Sequence, residues 1–257
     1  MFNSKVFVAE FIGTFALVFI GAGAGMVGAG LVGIALAYGF TLAVFYYVYG
    51  HISGAHVNPA VTFALALNNT VKWGQAAFYW IAQFAGAILA AWLLQTIAVS
   101  LGGTLEGAAT TGLLTEKEPI FAMVVEAILT FLLVNTILNT AVAGNGGNFA
   151  GWAIGTTFAL AILGAGTLTG ASLNPARTFG IAIFAGPSYT NVYTYVIYLF
   201  GPLIGATLAV LVYNFLNDIK DEEDLELEEL EYVLEEEPVQ KTVKKARKPA
   251  VRKTAKK

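Results

Sequence analysis

The phrase Asn-Pro-Ala occurs twice in this chain, at Asn58-Pro59-Ala60 and Asn174-Pro175-Ala176, each time between long apolar stretches. A small-residue run containing glycine precedes each copy (Gly54, Gly170), and the apolar stretch that follows is too short to span a bilayer. This pattern starts a helix: Asn58 and Asn174 serve as N-caps, and Pro59 and Pro175 take the first helical position, where a missing N–H costs nothing. Irregular backbone at membrane depth is tolerated only where it is buried in protein or lines a cavity. The two copies therefore predict two half-helices entering one channel.

Asn174 lies 116 residues after Asn58, and the same offset carries Glu10 to Glu126, Thr14 to Thr130, Phe15 to Phe131, Gly39 to Gly155, Thr62 to Thr178 and Phe84 to Phe200. Two halves of one plan, each with an odd number of full crossings, insert in opposite senses. The expected fold is an all-α membrane protein of six transmembrane helices and two half-helices in an inverted repeat, with repeats over about 1–100 and 117–216. The spans are predicted at about 5–27, 31–50, 75–98, 120–142, 149–165 and 191–216, each near the roughly 20 apolar residues a bilayer needs. The first is too long for a signal peptide, and Glu10 interrupts it.

Composition agrees: 57% apolar residues, 12% charged and a mean hydropathy of +0.69 exclude an ordinary soluble domain. Residues 1–216 hold only Lys5, Lys72, Lys117 and Arg177 as cations and Glu10, Glu106, Glu116, Glu118 and Glu126 as acids. The net charge of −3 thus describes mainly a tail over 217–257, acidic from Asp218 to Glu237 and basic from Lys241 to Lys257. That tail reads as a solvated, disordered arm, or as a short acidic helix with Leu227, Leu230 and Leu234 on one face. Lys5, Lys72 and the basic end fall on one side of six spans, so the positive-inside rule makes both termini cytoplasmic.

Enzyme and metal chemistry find no support in the residues. There is no cysteine, and His51 and His56 stand five apart with no acid or thiol to complete a ligand set, so no metal and no cofactor are expected. No nucleophile can be placed with a base and an orienting group. Nucleic acid is not an expected partner of a chain tethered in a bilayer.

Glu10 and Glu126 are the acids inside spans, and an intramembrane carboxylate is functional by default. One reading is a proton relay, which would make the chain a coupled carrier. The other is structural, each carboxylate accepting backbone N–H groups from the loop before a half-helix. Occurrence once per half, on the same helix of each repeat, favours loop support. The glycines within spans read mainly as close-packing positions, and Gly39 and Gly155 would let the second and fifth spans cross near the axis.

The two Asn-Pro-Ala boxes, the second extended to Arg177, with Ser53-Gly-Ala-His56 before the first and Ala9-Glu-Phe-Ile-Gly-Thr14 near the start, resemble the aquaporin, or major intrinsic protein, family over residues 5–216. The resemblance implies a right-handed bundle and a homotetramer with one pore per subunit, multi-pass in the cell membrane. It implies a conducting path in which carbonyls of Gly54, Ala55, His56, Gly170, Ala171 and Ser172 accept, and the amides of Asn58 and Asn174 donate. It places a selectivity filter at Tyr38, Ile162, Ala171 and Arg177. Strict water channels of the family usually carry His where Ile162 stands, so this filter is expected to be wider and more apolar. Thr178 replaces the Asp of the glycerol type, and Tyr198 resembles the water-type branch although Leu199 departs from it. Water is the expected permeant, small neutral solutes the runner-up and a proton-coupled carrier the third possibility.

Overall fold

The computed structural model describes residues 2–185 and 192–217. The chain divides after Leu216, and the tail read above, from residue 218 onward, lies outside the described residues. The helices are α1 Ser4–Met26, α2 Gly30–Ser53, α3 Pro59–Leu67, α4 Trp73–Ser100, α5 Leu113–Lys117, α6 Pro119–Ile137, α7 Ala150–Thr169, α8 Pro175–Ala182 and α9 Val192–Asn217, and no strand occurs among the described residues. α6 runs on through a π-helical turn, Leu138–Val142, closed by Ala143 N–H donating to the Leu138 carbonyl at 2.9 Å. Among the described residues six segments are long and apolar enough to cross a membrane, and the two short helices α3 and α8 interrupt them where the Asn-Pro-Ala phrases stand.

Two spans outrun their expected ends. α2 continues to Ser53 and α7 to Thr169 because neither stops until a glycine takes the left-handed conformation, Gly54 at φ 83° and Gly170 at φ 81°.

The helices pack through small residues. A Cβ on Gly39 would stand 2.6 Å from the Gly155 carbonyl oxygen, and one on Gly155 would collide with the Gly39 carbonyl in return. α2 and α7, repeat equivalents, thus cross backbone to backbone at their equivalent glycines. α1 meets α4 in the same way, with Gly86 against the Phe11 carbonyl. Large apolar side chains such as Phe40, Ile81, Leu132 and Leu211 face outward, as lipid-facing surfaces require.

The connector between the halves does more than join them. It carries α5 and a 3₁₀ turn, Glu106–Ala108. Gly107 packs on Gly25 and Gly112 on Leu168, so the segment folds down onto α1 and α7.

Candidate functional site

α3 and α8 begin head to head. The Asn58 Oδ1 accepts from Ala60 N–H at 2.9 Å, and the Asn174 Oδ1 accepts from Arg177 N–H at 3.2 Å, so both asparagines cap their helices. Their Nδ2 groups cross over: Asn58 donates to the Leu173 carbonyl and Asn174 to the Val57 carbonyl, each at 2.8 Å. Each half-helix is thereby bonded to the loop that leads into the other, and each amide keeps one N–H. Both asparagines line one narrow cavity.

The loops ahead of the caps share one backbone. Gly54, Ala55 and Val57 take positive φ, and so do Gly170, Ala171 and Leu173 at the repeat-equivalent positions. Positive φ is strained for any residue with a Cβ, most of all for β-branched Val57 at φ 44°. The compensation comes from the buried acids. Glu10 accepts from Ser53 Oγ at 2.7 Å, His56 N at 2.9 Å and Val57 N at 2.7 Å. Glu126 accepts from Thr169 Oγ1 at 2.7 Å, Ser172 N at 3.0 Å and Leu173 N at 2.8 Å. Hydrogen bonds to a carboxylate are about twice as strong as neutral ones, which lets them hold a loop of this kind.

Residues without a repeat partner complete the arrangement, and the sequence reading passed over them. Gln83 of α4 donates to Glu10 Oε2 at 2.8 Å and to Thr62 Oγ1 at 2.9 Å, whereas Leu199 stands at the equivalent position. An amide at the centre of an otherwise apolar span was the available signal. His56 lines the same cavity as the asparagines, with its Nδ1 3.1 Å from Thr62 Oγ1 and its ring packed on Tyr79 at 4.5 Å. In the second half Ser172 takes its place, bonded to Thr178, which also accepts from Thr110 of the connector at 3.0 Å.

Arg177, on the first turn of α8, is 3% exposed. Its guanidinium carbon lies 3.9 Å from the Tyr38 ring centroid and 5.7 Å from that of Phe158. Nη1 donates to the Ala171 and Ser172 carbonyls and Nη2 to the Gly170 carbonyl. Carbonyls that the sequence offered to a solute are therefore also the arginine's partners, each with a second lone pair to spare. Tyr38, Ile162, Gly170 and Arg177 line a second cavity, with Ala108 and Thr111 of the connector on its wall. Ala171 is fully buried beside it.

A family model described as "Major intrinsic protein" matches residues 1–213. The chain belongs to that family. Major intrinsic proteins are channels for water and small solutes such as glycerol, and this one is an integral multi-pass membrane protein. Among curated major intrinsic proteins, a probable aquaporin TIP2-2 of Oryza sativa subsp. japonica is 41% identical, covering 82% of this chain and 87% of the relative. A glycerol uptake facilitator protein-like 6 of Lactiplantibacillus plantarum is 41% identical over 80% of this chain and 94% of its own. Aquaporin AqpM of Methanothermobacter thermautotrophicus is 40% identical over 83% and 97%. Among solved structures, the aquaglyceroporin from Plasmodium falciparum superposes with a TM-score of 0.72 at 25% identity, covering 82% of this chain and 95% of that one.

Proposed function

We propose that this major intrinsic protein is a passive water channel that turns back ions and protons, works as a homotetramer with one pore per subunit, and sits in the cell membrane with both termini cytoplasmic. The observation that carries it is the crossed pair of asparagines. With Asn58 and Asn174 bonded to each other's loops, the positive ends of α3 and α8, each equivalent to about half a charge, face one point. A cation there meets two repelling dipoles and the Arg177 guanidinium; a neutral molecule meets one free N–H per asparagine. This is the general account of aquaporin-type selectivity and not particular to this chain. Tyr38, Ile162, Ala171 and Arg177 act as the filter in this reading, and Glu10 and Glu126 as supports of the pore loops.

A second reading, a facilitator of small neutral solutes such as glycerol or ammonia, is favoured by the apolar Ile162 on the wall that Arg177 shares. The relative named as a glycerol uptake facilitator is as similar as the plant aquaporin. Stopped-flow light scattering on proteoliposomes separates the two. Rapid shrinkage under an impermeant osmolyte, with slow re-swelling in glycerol, supports the water channel; fast re-swelling in glycerol replaces it with the facilitator. A sodium or proton current through the purified chain overturns both.

A further inference from the structure

One side chain on the conducting path has no role in either reading. α2 and α7 each present a stripe with one residue per turn: Ile34, Tyr38, Leu42 and Tyr46 on α2, and Ile154, Phe158, Ile162 and Gly166 on α7. The residues of each stripe divide between the two cavities. Tyr38 and Ile162 belong to the one under Arg177, and Leu42 and Phe158 to the one lined by the asparagines.

The repeat offset pairs Leu42 with Phe158, and Leu17 of α1 with Leu133 of α6. All four line the cavity that holds Asn58 and Asn174. Opposite the two amides there is thus an apolar girdle of two repeat pairs, symmetric except at Phe158. Its ring, 2% exposed, reaches the other cavity's wall by edge contact with Tyr38, centroids 5.6 Å apart. A phenyl ring is rigid and keeps its width, whereas a leucine in a girdle can turn aside.

We propose that Phe158 is a second size-limiting residue of this channel, one helical turn from the filter residue Ile162, where its ring narrows the girdle facing Asn58 and Asn174. The inference rests on the channel reading above and deepens it. Ile162 and Ala171 leave the filter apolar and small-walled, and Phe158 restores a limit on solute width deeper in the path. It discriminates by size and by the absence of any hydrogen-bond partner, because a polyol passing the ring must give up hydration that Asn58 and Asn174 replace only in part.

The test compares the full chain with Phe158→Leu, which completes the girdle's symmetry, and with Phe158→Met, in proteoliposomes. The quantity read is the ratio of glycerol to water permeability. Leucine is expected to raise it on the order of tenfold, the scale on which a pocket tells one methylene from none. Methionine, flexible enough to refill part of the space, is expected to raise it less, and keeps the test open if leucine does not fold. An unchanged ratio in the folded variants overturns the proposal. So does a rise in proton leak with the ratio unchanged, since that would make Phe158 only a buttress for Tyr38 and Arg177. Absence of water flux through the unsubstituted chain would instead remove the channel reading itself, which separates the two failures.

Discussion

Glu10 shows how a single carboxylate decides the conformation of a loop. Four donors converge on it: the Ser53 hydroxyl, the His56 and Val57 amides and the Gln83 side chain. Glu10→Gln keeps the shape but turns an NH₂ toward donors. At least one of the Val57 and His56 amides then has no acceptor in a fully buried place, at about 1–3 kcal/mol for each orphaned group. The expected result is a loss of roughly 3 kcal/mol, seen as a lower unfolding temperature of the purified protein by tryptophan fluorescence. A stably folded Glu10→Gln protein that had lost only gradient-driven uptake would support a proton relay. The acids were legible in the sequence because each half carries one at the same register. The loop amides they bind were legible as a class but not one by one, because every residue there has an N–H and only the fold decides which of them point at the acid. Gln83 was passed over for the opposite reason: an inverted repeat advertises what it duplicates, and Leu199 breaks the duplication.

At the scale of elements, the starts of the half-helices could be read, and so could the ends of the long helices except those of α2 and α7. Asn-Pro fixes a start through a side-chain acceptor and a preset φ, both written in the residue types. An end such as Thr169 depends on which glycine takes a left-handed turn, and the apolar spans offer many glycines. The connector was legible only as a link, since a run of Gly, Ala and Thr says nothing about Gly112 packing against Leu168 or Thr110 bonding Thr178. The α2–α7 crossing could be read from the paired glycines, and its energetics follow from their approach. Gly39→Ala puts a Cβ 2.6 Å from the Gly155 carbonyl, so the helices must separate along their contact. Overpacking of this kind typically costs about 1–3 kcal/mol. Gly74→Ala, in the first turn of α4 with nothing within 4 Å of the added atom, should be neutral or gain up to about 1 kcal/mol from helix propensity. Thermal unfolding in one detergent compares the pair; equal midpoints for the two variants would mean that the α2–α7 contact is not the tight one.

For the molecule as a whole, the inverted repeat fixes which loops share a side before any charge is counted. Six crossings put the turn at 68–72 and the turn at 143–149 on one face, and the segment from 101 to 118 on the other. Charge then chooses the orientation. Lys5 and Lys72 lie on the first face and Lys117 on the second, a difference that the positive-inside rule reads as the first face toward the cytoplasm. The bias within this unit is small, a single lysine, so orientation is the property most open to a direct check. The chain has no cysteine, which leaves introduced thiols without background. Thr104→Cys and Asn145→Cys both fall at exposed loop positions of opposite faces. A membrane-impermeant maleimide should label Thr104→Cys in intact cells and Asn145→Cys only after permeabilisation. The reverse pattern would invert the channel. The opposed dipoles of α3 and α8 would survive that inversion, because an inverted repeat looks alike from either side, but Arg177 and its cavity would then face the cytoplasm.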